Sequence, residues 1–526
     1  MTESWSASVR RFLKYCVTGV LNTGVSYVVF SFLVFMGVGS AAALAAGYVC
    51  GMATSYVLNA RWTFQTSAKQ GWQLVKFIGI NVGVLIFSEG CLRLISHHVV
   101  ASPYLAQALN LIPTTLVGFY VNRKYVFTKR ISDETSSSDW HRVVRYGLIA
   151  LAMVVAQRII VAAGEIHGAS HTKYAWTWYR VFVIDMIHWD AGWYLEIARH
   201  GYVRLSETAF WPLYPWFIRW FHEGTGIGYD VSAIVLSAIS FILAIWFFLL
   251  WIDESLGAKA AISAGLLFVF YPTSFYFDAA YTESLFTLFA VLAVYTSRRG
   301  HLFWANVWTA LATLTRNTGG LLGFILFFDY VQKKQLGWKF WTGAWWRKLS
   351  WRAVYFLIPA ATLVVYCYRL KRQFGMWTPF LYAEHHHWHR HYLAPWICIE
   401  RTVQFLIHPK TTIMSQEYIQ FEVAAFVAVV VLVGFTLGYM LWRRQAAYIG
   451  WFLYVLSVGF ITSSEPSVNI PDYLVSLPRY VLMLFPAFGI VGKVLRSVTL
   501  CAFIALLFAV VLFWKSGVFY RGIWIA

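Results

Sequence analysis

The sequence predicts an all-α polytopic membrane protein, and three observations predict it. Only 12% of its 526 residues are charged and 59% are hydrophobic, whereas soluble domains carry about 25% charged residues. Apolar runs of about 20 residues, the length a helix needs to cross the hydrocarbon core, recur from end to end. No ten-residue alternation suggests a barrel, and a helix satisfies its own backbone in lipid. Counting short hairpin helices, about 13–15 membrane helices are expected.

The formal charge of +19 does not imply nucleic acid. Lys and Arg sit in short loops between spans, with no groove-reading motif, so the expected contacts are lipid head groups. Six scattered cysteines lack the spacing of a disulfide framework or a zinc site. The first apolar run follows Arg10, Arg11 and Lys14 and is too long for a signal-peptide core.

Residues 1–130 form the first predicted domain, with apolar segments at 15–36, 42–58, 77–95 and 105–121. The second pair echoes the first. Asn59-Ala-Arg-Trp-Thr-Phe64 returns as Asn122-Arg-Lys-Tyr-Val-Phe127, marking a duplicated two-helix unit. Basic residues flank the outer ends of each hairpin, which places those ends in the cytoplasm. Asn59, Arg61, Asn122, Arg123 and Lys124 then have two readings. They are interfacial anchors with snorkelling cations, or a site for a lipid phosphate.

Residues 131–145, rich in Ser, Asp and Glu, read as an exposed linker. A second domain, 146–526, follows. Its first span, 144–163, leaves the cytoplasm and places 164–228 outside. Spans near 229–251, 259–277 and 281–297 return Arg298 and Arg299 to the inside. Residues 302–330 must then enter and return within 29 residues. Each half reaches only about 20 Å, short of the roughly 30 Å core. The segment is therefore expected to be a hairpin of short helices, with its tip Thr315-Arg-Asn-Thr-Gly-Gly320 inside protein and not in lipid. A second external loop, 371–418, holds the histidine cluster, and spans near 420–442, 447–463, 480–495 and 497–515 complete a multi-pass protein of the cell membrane.

The chemistry is expected in the first external loop. Asp190 stands among Trp189, Trp193 and Tyr194, and on a helix it shares a face with Tyr194 and Ile197. A carboxylate partly desolvated by such neighbours is suited to accepting a proton. The structural alternative is that Asp190 caps a helix beginning at Ala191. His385 and His389, like His387 and His391, have the spacing of one helical turn. That spacing can chelate a divalent metal, but contact with phosphate or substrate is the expectation, with no metal site and no cofactor assigned.

Two resemblances sharpen these readings. The paired motifs of the first domain resemble the GtrA-like family, which implies a four-helix domain that flips or presents a polyprenyl-phosphate sugar. Trp189-Asp190, Tyr194, Ile197-Ala198, Gly201-Tyr202, Phe210-Trp-Pro212, Tyr271-Pro272, Tyr281-Thr-Glu-Ser-Leu-Phe286, Thr315-Arg-Asn-Thr-Gly319 and Arg479-Tyr480 resemble, in order, PIG-V-type mannosyltransferases of the GT-C class. The resemblance implies an inverting transfer on the extracytoplasmic face, of a hexose such as mannose. The donor would be a polyprenyl-phosphate sugar and the acceptor a lipid or cell-envelope glycan. Asp190 would be the general base, and Arg316 and Arg479 would hold the donor phosphate; the structural alternative for the two arginines is pairing with buried carboxylates such as Glu283. Glu283, Trp189, Tyr194, His385, His387 and His389 would contact substrate. The rival reading is a flippase of polyprenyl-linked sugars with no transferase activity.

Overall fold

The computed structural model describes residues 5–35, 40–64, 75–84, 87–88, 91, 103–126, 134–169, 177–336, 342, 347–407, 416–461, 464–465, 473–474 and 476–525. The chain divides into two units, Met1–His141 and Arg142–Ala526.

The first unit is built on α1 (Trp5–Phe35), α2 (Ser40–Leu58), α3 (Val75–Val84) and α4 (Pro103–Val121). The predicted duplication is visible in its backbone. α2 runs into a π-helical turn at Asn59–Thr63, and α4 runs into another at Asn122–Val126. These are the two copies of the repeated motif. α1 binds both of them. Lys14 Nζ donates to the Trp62 carbonyl at 3.3 Å and Thr18 meets Thr63 at 3.3 Å, while Tyr15 accepts from Asn122 Nδ2 at 3.3 Å. Phe12, Tyr15 and Phe64 pack on Phe119 with ring centroids 5.4–5.8 Å apart. The rest of span 77–95 beyond the described stretches, residues 131–133 and the side chains of Arg123 and Lys124 lie outside the described residues.

Helix α5 (Glu134–Ala169) begins inside the segment read as a linker, which is therefore helical from Glu134. From Arg142 onward the second unit follows with α6 (Trp178–Phe182), α7 (Asp190–His200), α8 (Leu213–Thr225), α9 (Tyr229–Leu256), α10 (Ala258–Val269) and α11 (Glu283–Arg298). Next come α12 (Leu302–Thr315), α13 (Leu322–Lys333), α14 (Leu357–Phe374), α15 (Pro379–His386) and α16 (Pro395–Ile407). The chain closes with α17 (Gln416–Arg443), α18 (Ala446–Phe460), α19 (Leu477–Tyr480), α20 (Phe485–Leu495) and α21 (Val498–Tyr520). Two-residue strands β1 (His391–Tyr392) and β2 (Ser464–Glu465) pair antiparallel.

Five helices among the described residues are long and apolar enough to cross a membrane, or six if the pair Leu477–Met483 and Phe485–Leu495, bent by 71°, is one span. The protein is a multi-pass membrane protein. Shorter apolar helices among the described residues are Val75–Val84, Ala258–Val269 and Ala446–Phe460. The expected hairpin is found as α12 and α13, 14 and 12 residues long. Its 3₁₀ tip, Asn317–Leu321, carries buried Thr318 and Gly319. In lipid, close packing rather than a hydrophobic drive holds helices together, so small residues mark the tightest crossings. A Cβ at Gly168 would stand 2.4 Å from the Gly517 carbonyl oxygen, so α5 and α21 meet backbone to backbone.

Candidate active site

Four segments far apart in sequence bring four charges together. Asp190 begins α7, Glu283 begins α11, Arg316 lies between α12 and the hairpin tip, and Arg479 lies on α19. Arg479 Nη1 donates to Asp190 Oδ2 at 2.8 Å. Its Nε stands 3.3 Å from Glu283 Oε1, an ion-pair contact without hydrogen-bond geometry. Arg316 Nη1 donates to the same Oε1 at 2.6 Å and to Thr282 Oγ1 at 2.9 Å. Glu283, Arg316 and Arg479 are buried, whereas the Asp190 side chain is 24% exposed. Of these four, the Asp190 side chain is the most open. Its second oxygen, Oδ1, has no hydrogen-bond partner among the described residues.

The geometry bears on the capping alternative for Asp190. α7 starts at Asp190 itself, with Trp189 as the N-cap and no side-chain cap bond. Asp190 is thus not a helix cap; it points to Arg479. Trp189 takes φ 53°, ψ −114°, a backbone conformation a bulky L-residue rarely adopts and one that clusters at functional sites. The turn is held by Tyr281, whose hydroxyl donates to the His188 carbonyl at 2.9 Å, and by the Trp189 ring, 5.6 Å from that of Trp524. Tyr194 is buried one turn along α7, edge-on to Phe210, Tyr214 and Tyr281. Glu196, on another face, is exposed beside His200.

Asp190, Tyr194, Arg316 and Arg479 line one cavity of ≈ 90 Å³ with Glu384 and Arg390. Arg390 was not anticipated as a site residue. It lies inside the histidine run, and its signal was a cation among the histidines of 385–391. The cluster itself folds differently from the helical spacing. α15 ends at His386 and His389 takes a left-handed φ of 52°, so His385 faces His391, with ring centroids 4.1 Å apart, and His389 is not one turn away. His385, His387 and His389 are exposed and do not line the cavity. The segment is instead pinned by Trp388, whose indole donates to the Ser206 carbonyl at 3.2 Å and packs on Trp193 and Phe210. Burial pushes the Glu384 carboxyl above its ordinary range; Arg390, 3.8 Å away, opposes that and the Asp190 charge adds to it. Among the described residues, no three His, Cys, Asp or Glu side chains converge as metal ligands.

In the first unit, Asn59 and Asn122 are buried. Asn59 donates to Ser55 Oγ and Asn122 to the Gly118 carbonyl. Both amides therefore spend donors inside the fold. Arg61 is exposed.

Residues 14–127 match the family model of the GtrA/DPMS transmembrane domain, and residues 141–396 match that of the mannosyltransferase (PIG-V) family. The two matches follow one another along the chain in that order. A stretch of 157 residues, 27% of this chain, is 29% identical to GPI mannosyltransferase 2 of Drosophila melanogaster. Over 150 residues, 28% of this chain, the identity to GPI mannosyltransferase 2 of Yarrowia lipolytica is 27%. The matched stretches span 35% and 41% of those two relatives. A stretch of 70 residues, 13% of this chain and 47% of the relative, is 36% identical to the uncharacterized membrane protein YngA of Bacillus subtilis. Among solved structures, ArnT from Cupriavidus metallidurans bound to undecaprenyl phosphate aligns over 66% of this chain and 59% of that one, with a TM-score of 0.39 and 16% identity. The Archaeoglobus fulgidus oligosaccharyltransferase aligns over 70% and 52%, with a TM-score of 0.35 and 14% identity. At such scores neither structure bears on the site of the PIG-V unit.

Proposed function

We propose that the PIG-V unit is a GT-C-type membrane glycosyltransferase moving a hexose, mannose in the first instance, from a polyprenyl-phosphate donor to a lipid or cell-envelope glycan acceptor. The active site faces the extracytoplasmic side, and the GtrA unit flips or presents the donor. The observation that carries the reading is a half-open carboxylate, Asp190, fixed by Arg479 at a cavity that Arg316 and Arg390 also line. The acceptor hydroxyl gives its proton to Asp190 Oδ1 as its oxygen bonds to the anomeric carbon. The bond from that carbon to the phosphate oxygen breaks, and the polyprenyl phosphate leaves with the electron pair from the opposite face. The anomeric centre inverts. The step as written uses no cofactor.

Arg479 is the positioning residue for the base. Because Arg316 and Arg479 already neutralise Glu283 and Asp190, Arg390 is the cation left to meet the leaving phosphate, held only loosely by Glu384 at 3.8 Å. The test is transfer of labelled mannose from synthetic polyprenyl-phosphate mannose to a lipid extract. Asp190→Asn keeps an acceptor for Arg479 but no base, and is expected to retain donor binding while turnover falls by a factor of about 10² or more. Arg390→Gln is expected to raise KM for the donor more than it lowers kcat. Equal transfer by Asp190→Asn removes the base assignment. No transfer of any hexose, together with lipid-linked sugar crossing the bilayer, leaves the flippase reading.

A further inference from the structure

The second unit carries another charged site, at the end of the bundle away from Asp190. α9 ties its first turn to α7 through Arg199 and Asp230 at 2.9 Å, then runs 28 residues to Leu256. That is about 42 Å of helix. Around Leu256 opens a cavity of ≈ 830 Å³, between the start of α10 and the ends of α17 and α20. Lys259, Arg443, Lys493 and Arg496 line it, and no acidic side chain does. Among the described residues none of the four is paired with a carboxylate. Lys493 Nζ donates to the Leu256 carbonyl at 2.8 Å, and Arg443 lies 5.7 Å from the Trp442 ring centroid. The acids closest in sequence, Asp253 and Glu254, are occupied by Arg142 and Arg299.

The fold holds these cations together and does not let them spread. α20 packs directly on the backbone of α10, where a Cβ at Gly492 would stand 2.8 Å from Ala264 N and 2.9 Å from the Ala260 oxygen. That contact brings Lys493 to the side of Lys259. Arg496 ends α20 with φ 58°, where glycine is the usual and less strained residue. A cation kept in a strained position, in a cavity without counter-charge, calls for an anion. Trp442, 63% exposed at the end of a long apolar helix, is the kind of residue that sits at head-group depth.

We propose that this cavity binds the phosphate of an anionic lipid head group, with Lys259, Arg443, Lys493 and Arg496 supplying the charge. Basic pockets between helix ends recognise lipid phosphates in this way. A soluble phosphate shares the charge chemistry, but the interfacial Trp442 and the helix-end position favour the lipid. The test uses the purified full-length protein in detergent, titrated with phosphatidylglycerol or phosphatidylcholine, with bound lipid counted by native mass spectrometry. Wild type is expected to hold phosphatidylglycerol preferentially, and Arg443→Gln/Arg496→Gln to bind it about 10- to 30-fold more weakly. Both residues are exposed, so folding should be unaffected; the thermal midpoint checks this. Lys259→Gln, also exposed, provides an independent variant expected to weaken binding in the same direction. Equal phosphatidylglycerol binding by wild type and both variants overturns the proposal, as does equal binding of the two lipids by wild type. Displacement of the lipid by inorganic phosphate at equal concentration overturns the lipid assignment in favour of a soluble anion.

Discussion

Replacing Arg316 by Met tests whether the buried charges act as one body. Glu283 is 1% exposed, and one of its oxygens, Oε1, serves both Arg316 at 2.6 Å and Arg479 at 3.3 Å, while Oε2 has no hydrogen-bond partner. In Arg316→Met the carboxylate keeps only the Arg479 contact, which lacks hydrogen-bond geometry. Arg479 is already committed to Asp190. Breaking a buried pair from one side costs about 3–5 kcal/mol, so the single variant should lose at least about 3 kcal/mol. Arg316→Met/Glu283→Leu removes both charges and leaves the Asp190–Arg479 pair intact. It should recover all but about 1 kcal/mol, the hydrogen bond that Thr282 loses. The coupling between the two positions is then about 2 kcal/mol or more. Cys398 and Cys501 are fully buried in the same unit, so a thiol-reactive dye gains their signal on thermal unfolding, above the background of half-buried Cys367 and exposed Cys50. Strictly additive effects of the two substitutions would refute the reasoning, because they would mean that Arg316 and Glu283 do not depend on each other.

Two further predictions concern segments that carry residues of the site. Glu207 is buried in the segment between α7 and α8, where burial pushes its carboxyl up, but hydrogen bonds from the Val203 and Arg204 amides and the Arg204 guanidinium bring it net below its ordinary 4.5. A depressed carboxyl adds stability that is present above that ordinary value and is lost as pH falls through the lower folded one. Glu207→Gln should therefore unfold earlier than wild type at pH 7, by about 1.5–3 kcal/mol, with the gap closing toward pH 3 in the same dye assay; a gap independent of pH contradicts it. Gly319→Ala would place a Cβ 2.3–2.6 Å from backbone atoms of Ala312 and Thr313. Since backbone cannot swing aside, it should cost about 1–3 kcal/mol and lower transfer through Arg316, and a variant with wild-type midpoint and turnover would show that the tip relaxes freely.

What could be read from the chain in advance follows the range of the interactions. Periodicity and length revealed the spans and the short hairpin, because a 29-residue return cannot cross a core of roughly 30 Å twice. The duplication around Asn59 and Asn122 was legible as repeated letters, but not the π-helical turn each copy forms or the inward use of both amides. Asp190 and Arg479 were each legible as candidates for chemistry. Their pairing was not, since nothing local predicts a contact across 289 residues. The histidine run misled by its spacing, because i, i+4 means one face only while the helix continues, and here α15 stops at His386. Arg390 went unnoticed for the same reason. It reaches the cavity only after the chain has left the helix.

The order in which the four charges are made sets a timetable for biosynthesis. Glu283 and Arg316 are 33 residues apart and can find each other while the hairpin is being inserted. Asp190 must wait for Arg479. At ribosomal rates of 5–20 residues per second, the 289 residues between them take roughly 15–60 s. Through that interval α7 carries an uncompensated carboxylate on a half-built scaffold, and a chain stopped anywhere before α19 would have Asp190 but not the Arg479 that fixes it. On the function proposed above, transfer therefore waits until α19 has been threaded and Arg479 can reach Asp190.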